Sequence, residues 1–480
     1  MKLARILPVL LLAAATLGAT AAPMGARDAR HLLERTGFGA RPQEIAEFAG
    51  LDREQAVDRL LRGVRTQAVT ALPAEALEYV APRRIRALPE QERKAAVRDQ
   101  IRIGADLRAW WVGEMLASPS PLTERMTLFW HNHFVSSQQK VKSARLMALQ
   151  NALLREHALG NFAALLHAVA KDPAMIVYLD SATSRRGRPN ENFAREVMEL
   201  FTLGEGRYTE RDVKEAARAF TGWSIEPETG EFRWRPFIHD DGIKTVLGKT
   251  GAFDGDAVLD LLLAQPATAE FIAGKLWREF VSPQPEPRGL ARIAERFRAS
   301  GYEIRVALRS LLLSRAFWAE ENRASLTKSP VDLVVGTLRT LEVAVEDPLP
   351  FALALRNLGQ DLFAPPNVKG WPGGDAWINT ATLPARKQFV DRIMGSGELG
   401  PQARLAVARA GGDDPMRMRM LRAMASVRFD ADAWLAQAQR LGFAPQAVLL
   451  AGAPAAPIDA SLAGAAVLRA LALDPAFQLR

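Results

Sequence analysis

Apolar residues recur at helical spacing along most of this 480-residue chain, and proline or glycine interrupts the pattern at nearly every junction. Apolar side chains three and four residues apart share one face of an α-helix, and proline and glycine mark where such a helix begins or ends. The pattern predicts helices over residues 44–62, 90–116, 122–134, 142–154, 162–170, 191–203, 210–220, 257–264, 269–281, 290–298, 304–313, 331–341 and 351–358. We therefore predict an all-α fold with a multi-helix globular body.

One stretch departs from the helical pattern. Residues 231–235 and 243–247 are predicted as two short strands around the polar turn His239-Asp240-Asp241-Gly242. The expected fold is thus all-α with one short β-hairpin excursion near 231–247. From about residue 395 the composition shifts towards Ala, Arg and Met. We expect a main helical domain over residues 22–395 and a C-terminal helical layer over residues 396–480 that packs on it.

The chain contains no cysteine, which excludes disulfide scaffolds, Cys-ligated zinc, iron–sulfur clusters and thiol nucleophiles. Its 48% hydrophobic and 24% charged residues are ordinary for a globular protein. The 62 basic residues are nearly balanced by 54 acidic ones, and no long block carries a single sign. A nucleic-acid partner is therefore not expected, whereas weak attraction to an anionic cell surface is.

The first 21 residues have the pattern of a secretory signal peptide. Lys2 and Arg5 precede a short apolar run over residues 6–17, and small residues follow up to Pro23. We expect cleavage after Ala21, because cleavage one residue later would place the proline next to the scissile bond. The apolar run is shorter than the roughly 20 residues that span a bilayer. The sequence thus predicts an exported protein, periplasmic or secreted, with no stable membrane span after signal cleavage.

Two histidines, His131 and His133, lie within the predicted helix over residues 122–134. On a single helix His133 shares a face with Leu122 and Phe129, whereas His131 lies nearly opposite. Two histidines at this spacing cannot share a metal ion on a regular helix, where paired ligands stand four residues apart. His133 is therefore either buried and hydrogen-bonded to the backbone, or a catalytic or ligand residue, whereas His131 lies beside Glu124 and Thr127 on the other side of the helix.

The predicted helix over residues 191–203 carries charged residues beside an apolar stripe. Asn190 precedes this helix and is expected to begin it. The charged and amide residues of the helix itself are Glu191, Asn192, Arg195, Glu196 and Glu199. Glu191, Arg195 and Glu199 follow at four-residue spacing, which is typical of an ion-pair ladder on a solvated face. Glu196 lies at the edge of the buried stripe, where a carboxylate is costly unless it is paired, liganded or protonated. Glu196 is therefore either part of a structural ion pair or a functional acid, base or ligand.

The predicted turn offers a second group of polar residues. A histidine, His239, is followed by Asp240 and Asp241, and Lys244 comes three residues later. Such a group in a tight turn can bind a hard cation or an anionic group. The Asp-Gly pair within it is also what a hairpin turn requires. The sequence leaves both interpretations open.

The chain is rich in tryptophan, with ten tryptophans to four tyrosines. Trp371 and Trp377 lie in a Pro- and Gly-rich segment, and Trp223 follows the predicted helix over residues 210–220. Exposed tryptophans bind sugars and peptides well, whereas buried ones fix loops to a core. As part of a site, Trp371 and Trp377 would form an aromatic wall.

Several segments have recognisable sequences. They are residues 31–39, Phe129-Trp-His-Asn-His-Phe134, Tyr178-Leu-Asp180, Pro189-Asn-Glu-Asn-Phe-Ala-Arg-Glu-Val-Met-Glu-Leu-Phe-Thr-Leu-Gly204, residues 221–223, 239–245 and 328–330, Pro366-Asn-Val-Lys-Gly-Trp-Pro-Gly-Gly374 and residues 474–480. Through them, from residue 31 onwards, the chain resembles domain-of-unknown-function family 1800, a family of large exported bacterial proteins. The resemblance implies no particular activity. Members are often encoded beside a second uncharacterised family, number 1501, which is sulfatase-like, so the resemblance implies an exported sulfatase-like partner.

Polar side chains from separate helices usually indicate a site. We therefore predict first an enzyme of the cell envelope, of the hydrolase type, acting on a glycan, peptide or ester. Its predicted catalytic residues are His131, His133, Glu196, His239 and Asp240. Its predicted substrate-binding residues are Asn190, Glu191, Asn192, Arg195, Lys244, Trp223, Trp371 and Trp377.

The enzyme hypothesis requires the five predicted catalytic residues to converge around one cleft. A divalent metal cofactor is compatible with His, Asp and Glu ligands, although no spacing specifies one. Two alternatives stay open. The chain is either a non-catalytic scaffold or chaperone for an exported partner, or a binding protein for an anionic cell-envelope polymer.

Overall fold

The computed structural model describes residues 22–395 and 415–480, and this part of the chain is mostly helical. Its α-helices are Gly25–Thr36, Pro42–Ala49, Arg53–Arg62, Pro82–Ala87, Glu90–Ala117, Pro121–His133, Gln138–Val141, Ala144–Glu156, Phe162–Ala170, Pro173–Tyr178, Glu191–Glu196, Glu210–Ala219, Gly255–Ala264, Pro266–Phe280, Pro287–Ala299, Ile304–Leu312, Arg315–Trp318, Pro330–Thr340, Leu349–Asn357, Thr382–Met394, Pro415–Ser426, Ala431–Arg440, Pro445–Leu449 and Ala465–Leu473. A π-helix, Val197–Thr202, follows directly on Glu191–Glu196. The predicted all-α fold is confirmed.

Proline and polar caps set where many of these helices begin. The helices Pro121–His133 and Pro330–Thr340 each start with a proline in the first turn, where its missing N–H costs nothing. Before the second helix, Ser329 and Asp332 form a capping box, each side chain accepting from the other residue's backbone N–H. The predicted helix over residues 90–116 agrees with the observed helix Glu90–Ala117, which begins directly after Pro89.

The β excursion consists, within the described chain, of two separate two-stranded sheets. Trp223–Ile225 pairs antiparallel with Phe232–Trp234, and Lys244–Val246 pairs antiparallel with Lys249–Gly251. Both predicted strand segments therefore form, but each pairs with a nearer partner and not with the other. Leu247 and Gly248 have φ angles of 49° and 74°, so a two-residue hairpin turn reverses the chain immediately after Val246.

The helix Pro121–His133 is buried on nearly all sides. The face expected to be polar is covered as well, because Arg155 forms an ion pair of 2.6 Å with Glu124 across it. The indole Nε1 of Trp111 donates to the same carboxylate at 2.9 Å. Both faces of this helix therefore lie in the protein interior, which places His131 as well as His133 in the core.

A buried ion-pair network joins distant parts of the chain. Arg125 donates to Asp332 and, at 2.8 Å, to Glu279. Arg480 lies 3.0 Å from the same Glu279 carboxylate and 3.2 Å from Asp332. Burial alone would raise the pKa of Asp332, but the two guanidinium groups outweigh it and hold that pKa below its ordinary value. Every buried charge in the network has an opposite charge in contact, which offsets the cost of removing these charges from water.

The described C-terminal residues pack on the rest of the molecule. The helix Ala465–Leu473 lies against Thr382–Met394, and the backbone N–H of Lys328 donates to Gln478 at 2.7 Å. Apolar side chains from both parts belong to one continuous core. The predicted signal peptide, and residues 396–414 of the predicted C-terminal layer, lie outside the described residues, so the division near residue 395 stays a prediction.

Over the two described ranges, no single helix combines the length and apolar composition needed to cross a bilayer. The consecutive helices Gly255–Ala264 and Pro266–Phe280 meet that criterion only jointly, and their axes are bent by 75° at the junction. Many of their apolar residues are buried in the core.

Candidate functional site

His131 lies in an aromatic cage. The rings of Trp111, Phe363 and Trp371 surround it, with centroids 5.5 to 5.7 Å from that of the imidazole. Its Nε2 is buried and has no hydrogen-bond partner among the described residues. Burial, assisted by the nearby charge of Arg108, lowers the pKa of His131 to about 3. The imidazole is therefore neutral at physiological pH.

His133 instead forms two hydrogen bonds. Its Nε2 lies 3.2 Å from the carbonyl oxygen of Phe201, and its Nδ1 lies 3.0 Å from the ammonium of Lys275. These partners assign the proton to Nε2, so that Nδ1 accepts from the lysine. Lys275 also donates to the carbonyl of Leu200 at 3.3 Å. Burial and this neighbouring cation lower the pKa of His133 well below its ordinary value.

Glu196 is the last residue of the α-helix Glu191–Glu196, at the junction with the π-helix. Its carboxyl is partly buried, and within the described chain it has neither a hydrogen-bond donor nor an ion-pair partner. Burial and the nearby charge of Glu199 raise the pKa of Glu196, against the opposing effect of Arg195 and Lys369. A carboxyl with a raised pKa and free lone pairs is able to exchange a proton with a bound molecule.

Two tyrosines interact with the two neighbouring glutamates, Glu196 and Glu199. Tyr208 donates its hydroxyl to Glu199, and burial together with that carboxylate raises the pKa of Tyr208 to about 12. Tyr178 is close enough to Glu196 for the carboxylate to add to the effect of burial in raising the pKa of the phenol. Both phenols are therefore protonated near neutral pH and can donate hydrogen bonds.

Lys369 reaches this neighbourhood through a tightly fixed loop. The side-chain Oδ1 of Asn132 accepts from the backbone N–H of Trp371 at 2.8 Å. Gly370, which separates Lys369 from Trp371 in the sequence, has a φ angle of 83°, and a Cβ atom there would stand 2.3 Å from Oδ1 of Asn132. Only glycine fits such a close approach in a left-handed conformation. The loop therefore has a fixed backbone next to Lys369, whose charge acts on Glu196.

The polar residues at the start of this helix have structural contacts. Asn190 is the N-cap, and its side chain accepts from the backbone N–H of Asn192, whose own side chain is exposed. Arg195 lies 2.7 Å from Glu210 and 3.4 Å from Glu191. Only the Glu191–Arg195 half of the predicted ladder forms, because Arg195 pairs with Glu210 of the next helix and Glu199 instead accepts from Tyr208.

The three predicted substrate-binding tryptophans are buried. Trp223 packs against the rings of Phe193 and Phe220, Trp371 lies beside His131, and Trp377 belongs to the same core. Their rings stabilise the interior by removing a large apolar area from water. Their contact with a substrate stays a prediction.

His239, Asp240 and Lys244 fix a turn. Arg218 holds the Asp240 carboxylate with two hydrogen bonds, of 2.8 and 3.0 Å, and thereby lowers its pKa. Lys244 is 1% exposed, and its ammonium donates to the carbonyl of Asp240 at 2.6 Å. His239 places its Nδ1 2.8 Å from the carbonyl oxygen of Thr221. These contacts stabilise the backbone between the two small sheets.

The five predicted catalytic residues thus have three kinds of surroundings. His131 and His133 lie in the core, on different sides of one helix, and His239 and Asp240 share the turn. Glu196 forms no hydrogen bond or ion pair with the other four in the part of the chain that the structure describes. No group of three or more His, Asp or Glu side chains in residues 22–395 and 415–480 has the geometry to hold a metal ion.

Sequence reasoning did not select Lys369, Tyr178 or Tyr208 as site residues. Lys369 and Tyr178 lie within two of the segments that carry the family resemblance, residues 366–374 and 178–180, so a signal was present. The sequence alone did not show that Lys369 and Tyr178 interact with Glu196. The charge of Glu196 acts on the pKa of Tyr178, and the charge of Lys369 acts on the pKa of Glu196, so groups from three resemblance segments (residues 178–180, 189–204 and 366–374) interact electrostatically. Asn132 of a fourth segment fixes the loop that carries Lys369.

The fold and this site define a mostly helical protein with a carboxyl group of raised pKa at a junction between α- and π-helix. The chain belongs to the DUF1800 family, described as proteins of unknown function, whose model matches residues 31–479. The resemblance found in the sequence is thereby confirmed. Comparison with curated proteins and with solved structures finds no significant match.

Proposed function

We propose that this protein is an enzyme of the cell envelope, of the hydrolase type, in which Glu196 is the acid–base group. The observation that carries the proposal is the Glu196 carboxyl itself, which is partly buried, has a raised pKa and lacks a partner among the described residues. A carboxyl with a raised pKa retains its proton closer to neutral pH, as a general acid requires. π-Helical turns are also frequent at functional sites.

The neighbours of Glu196 suit the same chemistry. Lys369 supplies a positive charge that can attract an anionic or strongly polarised group of a substrate. Tyr178 supplies a protonated phenol, and Glu199, held by Tyr208, supplies a second carboxylate one turn from the first. Hydrolysis of a glycan, peptide or ester needs a proton donor beside the bond that breaks, and this is the role we propose for Glu196.

Of the five catalytic residues predicted from the sequence, this proposal keeps only Glu196. His131, His133, His239 and Asp240 have interior or turn-stabilising contacts, so we assign them to the framework of the protein. Export to the envelope rests on the charged and apolar pattern of residues 1–21. Elemental analysis of the purified protein tests whether it binds a divalent metal ion.

The test is hydrolysis of chromogenic p-nitrophenyl glycosides and p-nitrophenyl esters by the purified protein. We expect Glu196→Gln to lower kcat by about 100-fold or more on any substrate turned over, because it removes the proton but keeps the shape. Its melting temperature should stay close to that of the wild type, since no described partner is lost. Glu295→Gln, an exposed glutamate on the helix Pro287–Ala299, is the matched control.

The pH dependence provides a second measurement on the same protein. Because Glu199 contributes to the raised pKa of Glu196, Glu199→Gln should move the alkaline limb of the rate profile to lower pH. An unchanged profile, or equal rates for wild type and Glu196→Gln, contradicts the assignment of Glu196.

The second candidate is a non-catalytic scaffold for an exported partner, such as the sulfatase-like protein suggested by the family. The framework contacts of the four other predicted residues favour it, since buried polar networks also specify a rigid shape. Failure to hydrolyse any of these substrates, together with stable association with such a partner, would establish this candidate instead.

A further inference from the structure

Three large apolar side chains are exposed within ten consecutive residues, which we name the 234–243 tip. Phe237 is 77% exposed, Ile243 63% and Trp234 40%. Phe237 is the most exposed large apolar side chain of the described residues. Single exposed apolar residues need no explanation, but several on one short segment mark an interaction surface.

The tip is rigidly held. Arg218 binds Asp240 through two hydrogen bonds, and the buried ammonium of Lys244 donates to the carbonyl oxygens of Asp240 and Gly242, at 2.6 and 2.9 Å. Burying an ammonium group is costly, and here its hydrogen bonds fix a surface turn. The exposure of Phe237 therefore does not come from a loosely held loop. A surface whose shape is fixed in advance loses little entropy when it binds.

Unpaired positive charge lies beside the tip. The loop of residues 185–188 packs on it, because Arg186 donates its backbone N–H to Ile238 at 2.7 Å and its Nε to the carbonyl of His239 at 2.8 Å. Arg186 also pairs with Asp241 at 2.9 Å. The flanking Arg185 and Arg188 are exposed, and neither has a carboxylate partner in the described part of the chain.

We propose that the 234–243 tip, with Arg185 and Arg188, docks the protein on the surface of a membrane that contains anionic lipid. Aromatic and aliphatic side chains beside arginines are the combination that inserts shallowly into the headgroup region of such a bilayer. The charge complementarity favours an anionic lipid surface, because the basic loop lies next to the apolar side chains that would insert. This docking is independent of the function proposed for Glu196.

The test is cosedimentation of the purified protein with vesicles of phosphatidylcholine, with or without about 30% phosphatidylglycerol. We expect binding to the anionic vesicles only, weakened by added salt because exposed charges are screened. Phe237→Asp/Ile243→Asp should weaken the partition about tenfold or more, since it places two carboxylates where apolar groups would insert. Arg185→Ala/Arg188→Ala should weaken binding and reduce its dependence on salt.

Matched controls exist elsewhere on the surface. Ile101→Asp changes a side chain that is 68% exposed on the helix Glu90–Ala117, and Arg288→Ala/Arg292→Ala removes two exposed arginines. Both control variants should bind vesicles as the wild type does. Equal binding to both kinds of vesicle, or full binding by Phe237→Asp/Ile243→Asp, overturns the proposal. Self-association that requires Phe237 and Ile243, without vesicle binding, overturns it too and assigns the tip to a protein contact.

Discussion

His131 and His133 are two residues apart on one helix, yet their surroundings differ. His133 has a carbonyl acceptor and an ammonium donor, whereas the rings of Trp111, Phe363 and Trp371 surround His131, whose Nε2 has no partner among the described residues. Neither can carry a positive charge at neutral pH, since burial lowers both pKa values. A general acid or base must change its charge within the working pH range. The contacts of both residues are those of core side chains.

His131→Leu tests this at the residue scale. Leucine is close to histidine in size and removes a buried nitrogen without a partner, so we expect the free energy of unfolding at pH 7 to change by about 1 kcal/mol or less. Chemical denaturation measures it. If the Glu196 proposal is right, hydrolysis should also persist in this variant. If His131→Leu lost activity without losing stability, His131 would be a catalytic residue as the sequence predicted.

The same variant should change the response to acid. The folded pKa of His131, about 3, lies below the unfolded value near 6.5. Folding therefore requires neutral imidazole, and this contribution to stability is present above pH 6.5 and is lost as pH falls towards 3. Between pH 7 and pH 5 the wild type should lose about 2 kcal/mol relative to His131→Leu. Parallel stability curves for the two proteins would contradict a buried neutral histidine.

At the scale of elements, the change from α- to π-helix after Glu196 needs support from other helices. The wider turn is visible in the hydrogen bond of 2.9 Å from the N–H of Leu203 to the carbonyl of Met198, five residues earlier. A helix end leaves carbonyl oxygens without intrahelical donors. His133 and Lys275 donate to two of them, so residues from two other helices satisfy the end of the π-helix.

Lys275→Met tests that support. The variant keeps most of the apolar stem but leaves the carbonyl of Leu200 and Nδ1 of His133 without their donor. We expect a loss of about 2 kcal/mol in the free energy of unfolding, measured by denaturant titration. Arg278→Met, an exposed change on the same helix, is the control and should cost less than about 0.5 kcal/mol. Equal effects of the two substitutions would show that the lysine does not support the π-helix.

At the scale of the whole molecule, the network of Arg125, Glu279, Asp332 and Arg480 joins segments more than 100 residues apart. Asp332→Asn leaves two buried guanidinium groups to share one carboxylate. We expect a loss of about 3 to 5 kcal/mol, seen as a lower denaturant midpoint. Asp375→Asn, at an exposed position, is the control. An unchanged midpoint for Asp332→Asn would show that the network adds no net stability.

The contribution of Asp332 to stability should also depend on pH. Because the pKa of Asp332 is lowered in the folded protein, this contribution is present above about pH 4 and is lost as the pH falls further.

The fold was largely predictable because its signals are local. Proline, caps and helical periodicity set the bounds of helices such as Glu90–Ala117, and these depend on neighbours within a few residues. Strand pairing was less predictable, because the polar turn around Asp240 resembles a hairpin turn. The actual reversal is at Leu247 and Gly248, where a leucine adopts a conformation that the sequence does not favour.

The candidate site was predictable only in part. Glu196 could be singled out because it lies at the edge of an apolar stripe, a property of one helix. Its neighbours Tyr178 and Lys369 come from segments far apart in sequence, and only the packing brings them together. The sequence did not predict the burial of His131, because Glu124 on the same helix face suggested that this face was polar. In the structure Arg155 from another helix neutralises the charge of Glu124.

The position of Arg480 has a consequence for how the chain reaches its native state. Ribosomes make residues 474–480 long after Arg125, so a nascent chain that stops short of them holds a carboxylate pair with half of its cationic partners missing. Such a chain gains the full stability of its interior only when synthesis has passed residue 480.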